Sequence, residues 1–412
     1  MMFASRTITR AAVTAAIVLL LTTTAAINAA AQTSVFATLG GTLDGFRAVA
    51  SPSDTRNNVV ANAVIEREFN EQHGRVFYDF DAGTYGSPGD WSHYLHTAGF
   101  TYRFGADDAT GRNLYLNGSL AMRRNGDDWA SADYSAAGIG LNAEFHPGEA
   151  STVRSGYRLD YRNFVDYSPL TQLEHRVFGS MLANLQSRTT IVVEAQAGLK
   201  GYSGWVSTDF AALEAAAPVQ TAGRGRGMGP GIRLGVSPTV SQVAESDDWA
   251  GLVGGLFRIA QSLSDRTGIH AQASVRHILG RVPPALVTTP AGFFEDGVYD
   301  DPYASRGVFA QIGLRREFRG GGDIEILGWW ADKNYVSALA LDDEGAEQAG
   351  GPLRADRLWL ASATWTQPLL ADRTGQVVLT LELTYRFTRH ESNDAFYNYT
   401  SHAAGAGFTI GY

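Results

Sequence analysis

The segment "RHESND" at residues 389–394 carries side chains that are suited to covalent chemistry. His390 and Ser392 are separated by one residue, so on a β-strand they lie on the same face. A hydroxyl nucleophile needs a base within hydrogen-bond reach, and a neighbouring imidazole can serve as that base. The spacing is therefore compatible with hydrolysis of an ester, with Ser392 as the nucleophile and His390 as the base.

The H-x-S-N pattern of His390, Ser392 and Asn393 resembles the catalytic segment of outer-membrane phospholipase A and of the lipid A 3-O-deacylases. The resemblance implies a lipid hydrolase whose serine and histidine face the lipid. Asp394 departs from the pattern, because those families place glycine or a small residue there. Alternation along the preceding residues also puts His390 and Ser392 on the face of Glu382, which is the predicted interior. An ordinary turn rich in Ser and Asn is the alternative interpretation.

Charged residues at alternate positions form a second candidate site. The segment "TVRSGYRLDYRNF" (152–164) places four of them on one strand face, and related segments add more. Opposed rows of arginines and carboxylates create a transverse field that selects polar solutes, as charged rings do in pores. The alternative is a set of ion pairs that fills the interior and conducts nothing. The residues predicted to line this lumen are Arg154, Arg158, Asp160, Arg162, Glu194, Arg276, Arg315, Glu317, Glu382 and Arg386.

Long alternating strands must position these side chains. In "QVVLTLELTYRFTRH" (376–390), apolar residues from Val377 to Phe387 alternate with Thr, Glu and Arg. Soluble strands usually have about five to six residues. A tilted membrane-spanning strand needs about 9–11 residues. The pattern therefore favours strands that cross a membrane.

About 16 such strands are predicted, within a range of 14–18, and an even number is required of a single-chain bacterial barrel. Alternate connections are short, whereas 204–246, 281–304 and 338–351 are long and all fall at the other end. In outer-membrane barrels the short turns are periplasmic and the long loops extracellular. The fold class is therefore all-β, a transmembrane antiparallel up-and-down barrel. The aromatic residues expected at its membrane interfaces are Trp329, Trp330, Trp359, Trp365, Tyr78, Phe100 and Tyr102.

The related segments "LSDRTG" (263–268) and "LADRTG" (370–375) are interpreted as periplasmic hairpin turns. Asp265 and Asp372 are expected to hydrogen-bond the backbone, and Gly268 and Gly375 to adopt positive φ. At the other end, the acidic segments 295–301 and 342–347 are expected to be solvated. The segment "GRGRGMGPG" (223–231) is expected to be a flexible loop rather than a phosphate-binding loop, because no strand leads into it.

Composition excludes several classes of function. The chain has 412 residues and no cysteine, so an exported form has no disulfide framework. The formal net charge of −9 argues against a nucleic-acid-binding protein, which would present a basic face. His93 and His96 are three residues apart and lie on opposite faces of a strand, which makes them a poor metal pair. We predict no cofactor and no metal site.

The first 31 residues have the pattern of a Sec signal peptide. "MMFASRTITR" carries two arginines and no acidic residue, and a short apolar stretch follows it. Ala29 and Ala31 fit a signal-peptidase site before Gln32. The predicted organisation is a removed signal peptide (1–31) and one barrel domain (32–412).

The chain ends in "AGAGFTIGY", with Phe408, Ile410 and Tyr412 on one face. This segment resembles the terminal strand of bacterial outer-membrane β-barrel proteins, whose last residue is typically aromatic. Phenylalanine is the commoner last residue in that family, so Tyr412 is a departure. The resemblance implies an outer-membrane location, recognition by the barrel-assembly machinery, and contact with outer-membrane lipids and lipopolysaccharide.

These observations predict a porin-like passive channel for small polar solutes, and not an enzyme. One alternative is a non-conducting binding or structural barrel that acts through its extracellular loops. Another is a lipid hydrolase that uses His390 and Ser392. The solute and the oligomeric state are left open at this point.

Overall fold

The computed structural model describes residues 33–48, 51–69, 73–86, 92–107, 111–126, 130, 133–165, 171–202, 249–280, 301–340, 351–371 and 378–411. Several predicted features lie outside these residues. They are the signal peptide (1–31), the loop segments 223–231 and 342–347, residues 295–300 of the acidic segment 295–301, and the residues Asp372, Gly375 and Tyr412.

The described residues form sixteen β-strands, whose positions agree closely with the sequence pattern. They are β1 (Thr33–Ala48), β2 (Ser51–Phe69), β3 (Gly74–Gly86), β4 (His93–Asp107), β5 (Arg112–Asn125), β6 (Tyr134–Gly148), β7 (Ser151–Phe164), β8 (Gln172–Leu185), β9 (Thr189–Tyr202), β10 (Trp249–Ser264), β11 (Thr267–Leu279), β12 (Ser305–Glu317), β13 (Asp323–Leu339), β14 (Leu353–Ala371), β15 (Val378–Ser392) and β16 (Tyr399–Gly411).

The strands form one closed antiparallel barrel. Each strand pairs with its neighbours in the chain, and β1 pairs with β16, for example Phe36 with Gly411, which closes the sheet. Closure matters in lipid, because every backbone N–H and C=O must find a partner within the protein. The predicted antiparallel up-and-down barrel is therefore confirmed.

The outer surface of the barrel is apolar. On β15, Leu383 and Tyr385 are exposed on the outside, and Glu382 and Thr384 alternate with them and point inward. The same alternation recurs on the other strands whose burial is described, and it is the pattern of a wall with lipid on one side. Among the described residues, no helix is long and apolar enough to cross a membrane.

The connections separate by length between the two ends. At one end, which we call the short-turn end, the strands are joined by connections such as 186–188 and 265–266. The other end, the long-loop end, carries the connections 203–248, 280–304 and 340–352. The three long connections lie at the end that was predicted, although that end also carries the two-residue connection 49–50 between β1 and β2. In an outer-membrane barrel, this arrangement places the short-turn end on the periplasmic side.

The turn between β10 and β11 differs from the prediction. Gly268 is not among the residues with positive φ; it lies in β11, opposite Ser262 and Arg315, because the turn closes before it. The backbone N–H of Arg266 donates to Ser264 Oγ at 3.3 Å. The Asp265 carboxylate forms an ion pair with Arg188 in the neighbouring turn rather than a hydrogen bond with the backbone. The predicted roles of Gly268 and Asp265 are therefore wrong.

One predicted interfacial tryptophan faces inward. Trp330 lies on the outer face beside Trp359, with ring centroids 6.0 Å apart. Trp329 is the preceding residue on the same strand, so it points into the barrel, where its ring lies near Phe309. Both tryptophans cannot belong to an outer girdle, because consecutive residues of a strand face opposite sides.

Candidate functional site

The candidate site is the interior of the barrel. On β7, Tyr157 and Tyr161 are exposed on the outside, so the alternating Arg154, Arg158 and Arg162 point inward. The same reasoning applies to β9, β11, β12 and β15. The residues of the predicted lumen lining that occupy inward positions are Arg154, Arg158, Asp160, Arg162, Glu194, Arg276, Arg315, Glu317, Glu382 and Arg386.

The β7 arginines contact acidic or aromatic partners and remain accessible to water. Arg154 Nε donates to Glu144 Oε2 at 2.6 Å, and the Arg154 side chain is 58% exposed. Arg158 Nε donates to Asp160 Oδ2 at 2.6 Å, and its side chain is 52% exposed. The interior along β7 is therefore a wet, charged surface.

Strand β8 extends this surface with two residues that were absent from the predicted lining. Glu174 accepts a hydrogen bond from Arg176 Nε at 2.9 Å. The register places Glu174 opposite Asp160, and Arg176 opposite Arg158, so each ion pair runs along its own strand. The i, i+2 spacing of Glu174 and Arg176 was the available sequence signal. We call this surface the β7–β8 charge patch; its members are Arg154, Arg158, Asp160, Arg162, Glu174 and Arg176.

The other predicted lining residues are dispersed around the wall. Arg276 donates to the backbone oxygen of Ser305 at 3.0 Å and to its hydroxyl at 2.8 Å. Arg315 Nε lies 3.4 Å from Asp323 Oδ1 at the short-turn end. The structure therefore does not bring the ten residues into one cluster. The inward positions of β9, β12 and β15 hold four more of them: Glu194, Glu317, Glu382 and Arg386.

A buried ion pair lies inside the barrel towards the long-loop end. Lys200 Nζ, on β9, is 2.7 Å from Asp301 Oδ2, and the two side chains are 2% and 0% exposed. Tyr202 donates its hydroxyl to the same carboxylate oxygen at 2.8 Å. The expectation that segment 295–301 is solvated is therefore wrong at Asp301. A lysine at an inward position of β9 draws this residue into the barrel.

The residues that follow Asp301 continue into the interior. Tyr303 is fully buried, and its hydroxyl donates to Glu174 Oε1 at 3.2 Å. Burial and the neighbouring Glu174 carboxylate raise the pKa of the Tyr303 phenol well above its usual range, so it stays a neutral donor. A Cβ at Gly198 would lie 2.1 Å from the Tyr303 oxygen, so this approach requires glycine on β9. We call residues 301–304 the inner segment.

Apolar contacts fix the inner segment against the wall. Tyr303 and Ala304 belong to a buried cluster with Leu252 of β10 and Ile278 of β11. The backbone N–H of Val336, on β13, donates to the oxygen of Ala304 at 3.1 Å. The inner segment therefore contacts the wall from β8 to β13 and narrows the lumen on that side.

A second buried cluster centres on Asp356 of β14. Its carboxylate accepts hydrogen bonds from Arg354 Nε at 2.9 Å, Ser392 Oγ at 2.7 Å and Tyr335 OH at 3.2 Å. His390 Nε2 lies 3.0 Å from the same carboxylate. Ser392 thus donates to Asp356 and not to His390, whereas a nucleophilic serine needs direct contact with its base.

The rest of the H-x-S-N motif anchors the connection between β15 and β16. The Asn393 side chain accepts from the N–H of Ala355 at 2.8 Å and donates to the oxygen of Leu353 at 2.9 Å. The Arg354 guanidinium lies 3.2 Å from the centroid of the Tyr397 ring, and burial raises the pKa of Tyr397 to about 12. These contacts describe a structural turn that faces the interior.

The remaining candidate residues lie apart from these clusters. His93 faces inward, 2.9 Å from Asp81, and His96 faces outward. No group of three or more His, Asp or Glu side chains suited to a metal ion is present within the described ranges. Phe408 and Ile410 of the terminal segment are exposed on the outer surface of β16.

The interior thus has two zones. Along β7 and β8 it presents charged side chains to water, and towards the long-loop end the inner segment and the Asp356 cluster reduce its width. Such a surface can bind and orient small polar or charged solutes. Among the described residues, the side chains there form ion pairs and hydrogen bonds, and Ser392 and His390 each contact Asp356.

Several solved structures resemble this chain over most of its length at very low sequence identity. OccK8 (OprE) of Pseudomonas aeruginosa is 10% identical, with a TM-score of 0.46, over 92% of this chain and 98% of that one. OccK2 (OpdF) of the same organism, solved in complex with glucuronate, is 10% identical, with a TM-score of 0.46, over 93% and 99%. OccAB2 of Acinetobacter baumannii is 10% identical, with a TM-score of 0.45, over 92% and 98%. No protein-family model and no curated protein matches the sequence.

Proposed function

We propose that this chain is a bacterial outer-membrane barrel that acts as a porin-like passive channel for small polar solutes. The observation that supports this most directly is the charged, water-exposed inner wall of a closed barrel with an apolar exterior. Arg154 and Arg158 are both more than half exposed inside it. The interior of a barrel of about 16 strands is normally too wide for side chains to fill.

The β7–β8 charge patch provides the selectivity in this proposal. It contains four arginines and two carboxylates, so its balance is positive. In the closed order of sixteen strands, β15 is eight strands from β7 and therefore lies across the lumen, where it presents one carboxylate, Glu382, and one arginine, Arg386. The positive patch therefore faces a wall whose two charges balance, and this asymmetry across the lumen orients polar solutes by their dipoles or charges.

The inner segment supplies the size limit. It is fixed by the buried contacts of Asp301 and Tyr303, and it lies beside the part of the charge patch that is nearest the long-loop end, where Tyr303 contacts Glu174. A solute that enters from the long-loop end passes this narrowing before it reaches Arg158 and Arg154, which lie further towards the short-turn end of β7. The channel is therefore suited to small solutes rather than to polymers.

Export and assembly follow the same proposal. Residues 1–31 act as a Sec signal peptide, and residues 32–412 form the single barrel domain. The terminal segment, with Phe408, Ile410 and Tyr412, is read by the barrel-assembly machinery. The outward exposure of Phe408 and Ile410 is compatible with that role. The mature barrel then contacts outer-membrane lipids and lipopolysaccharide.

Planar-bilayer recording of the refolded mature chain, residues 32–412, tests the channel. We expect stable conductance steps with an ion selectivity that depends on salt. Circular dichroism on the same preparation verifies that the barrel is folded. A folded barrel that shows no conductance steps would exclude the open channel.

A non-conducting binding barrel is the second candidate. Its support is the burial of Lys200, Asp301 and Asp356 towards the long-loop end, where side chains narrow the lumen. This candidate predicts no conductance steps in the planar bilayer, and ligand binding that depends on the long loops. A hydrolase is disfavoured, because His390 and Ser392 face the interior and both contact Asp356.

A further inference from the structure

Three tyrosine–histidine pairs recur on the outer surface of the barrel. The hydroxyl of Tyr78 lies 2.6 Å from His96 Nδ1. The same two atoms are 2.7 Å apart in Tyr157 and His175, and 2.9 Å apart in Tyr385 and His402. We call these the outer Tyr–His pairs. They join β3 to β4, β7 to β8, and β15 to β16.

The three pairs share one geometry. In each, the histidine lies opposite the residue two positions after the tyrosine: Phe80 faces His96, Leu159 faces His175, and Phe387 faces His402. The repeated diagonal register brings the same two atoms together at three places. Side chains that had come together by chance would not be expected to share one register.

The pairs also lie at a common depth. His96, His175 and His402 are each the fourth residue of a strand that begins at the long-loop end. At about 3.3 Å per residue, each lies about 10 Å along the strand from that end. Outward apolar residues continue below this level. Exposed aromatic residues, among them Tyr94 and Tyr161, lie between this level and the long-loop end, so the pairs belong to the upper part of the apolar band.

Each pair retains one unused hydrogen-bond donor. If the phenol donates to Nδ1, the neutral imidazole carries its proton on Nε2; in the other tautomer, the phenol O–H is left over. Within the described residues, neither group makes a further hydrogen bond. An unpaired donor facing hydrocarbon is unfavourable, so the surroundings must supply an acceptor.

Cationic side chains lie next to two of the three pairs on the same outer surface. Arg389 follows Phe387 by two residues and is opposite Thr400, next to His402 on the outer face. Arg124 is opposite Tyr94, two residues before His96. Arg389 also pairs with Glu391, and Arg124 with Asp133, so each guanidinium is partly neutralised and offers its remaining N–H groups beside the free donor of the pair. Donors grouped in this way in the upper part of the apolar band match an anionic acceptor in the headgroup layer.

We propose that the outer Tyr–His pairs bind the phosphate groups of lipid headgroups in the outer leaflet. The aromatic ring of each tyrosine lies against the upper acyl chains, and the free donor of the pair contacts a phosphate oxygen. This fixes the vertical position of the barrel at three points of its circumference. The proposal concerns the outer surface and does not depend on conduction through the lumen.

Native mass spectrometry of the full protein, purified in detergent micelles, tests this proposal. The micelles contain either dimyristoylphosphatidic acid or dimyristoylglycerol, which have the same chains but differ in the phosphate. We expect the wild-type barrel to retain up to three molecules of phosphatidic acid, and to hold diacylglycerol at least tenfold more weakly. The variant His96→Phe/His175→Phe/His402→Phe should lose this preference.

Two further sets of variants keep the test decisive. His277→Phe is the matched control, because His277 is also exposed on the outer face but has no tyrosine partner among the described residues; it should bind as wild type does. If the triple variant fails to fold, each single variant should retain one phosphatidic acid fewer. Equal retention of the two lipids by wild type, or unchanged retention by the histidine variants, would overturn the proposal.

Discussion

Lys200 Nζ lies 2.7 Å from Asp301 Oδ2, and this pair joins the wall of the barrel to a connecting segment inside it. Both side chains are almost fully buried, unlike the exposed arginines of β7. Removal of one partner of a buried ion pair is strongly destabilising, because the other partner is left as a buried, uncompensated charge. The pair therefore determines whether the inner segment keeps its place.

Removal of the Asp301 carboxylate should release the inner segment. We expect Asp301→Ala to lower the free energy of unfolding by about 3–5 kcal/mol, as for other broken buried pairs, and to increase single-channel conductance. Denaturant unfolding and bilayer recording measure the two effects. Asp265→Ala is the matched control, because Asp265 pairs with Arg188 in an exposed turn. A folded Asp301→Ala barrel with wild-type conductance would contradict the role given to the inner segment.

A methyl group at Gly198 should displace Tyr303. The added Cβ would lie 2.1 Å from the tyrosine oxygen, so the phenol must move and lose its hydrogen bond to Glu174. We expect amide hydrogen exchange in residues 301–304 to become at least about tenfold faster in Gly198→Ala, which corresponds to about 1.4 kcal/mol of local stability. Gly179→Ala serves as control, since its nearest neighbour atom would be 4.0 Å away. Equal exchange in both variants would show that Tyr303 does not depend on the glycine.

Neutralisation of the charge patch should alter ion selectivity. Arg158→Gln removes one water-exposed positive charge and leaves Asp160 unpaired, so the wall becomes more acidic. We expect the reversal potential in a potassium chloride gradient to shift towards cation selectivity, more strongly at low salt because screening is weaker. Arg389→Gln is the control, because its guanidinium pairs with Glu391 on the outer face. A shift in reversal potential of equal size in both variants would show that the charge patch does not determine ion selectivity.

The Asp356 cluster should behave as structure and not as a catalyst. Asp356→Ala leaves Arg354 buried without its carboxylate, and we expect it to lower the free energy of unfolding by about 3–5 kcal/mol. Ser392→Ala removes one hydrogen bond and should lower it by about 1 kcal/mol. Denaturant unfolding compares the two variants. An ester-hydrolysing activity that disappears in a stably folded Ser392→Ala protein would reverse this interpretation.

Local periodicity predicted most of the wall. In a strand, side-chain direction alternates with every residue, so the inward positions of Arg158 and Glu382 follow from the apolar neighbours that must face lipid. The same rule places His390 in the interior. It also places Trp329 and Trp330 on opposite faces, so the predicted aromatic girdle should not have included both.

Details of the turns were less predictable, because a turn depends on where strand pairing stops. Gly268 resembled a turn glycine by composition, yet the pairing of β11 extends through it. Arg188, in the related segment "LQSRTT", adopts a φ of 60° instead. The similar sequences of these turn segments therefore do not adopt the same backbone conformation.

The sequence by itself determined the strands, their facing, their number and the sorting of the connections, since these depend on neighbouring residues and on the demands of a lipid environment. Only the tertiary structure decided which distant side chains meet. Asp301 and Lys200 are separated by 101 residues, and Tyr303 and Glu174 by 129. Their contact requires strand register, closure and burial of the inner segment together. No periodicity within one strand carries that information, because it is set by packing across several strands.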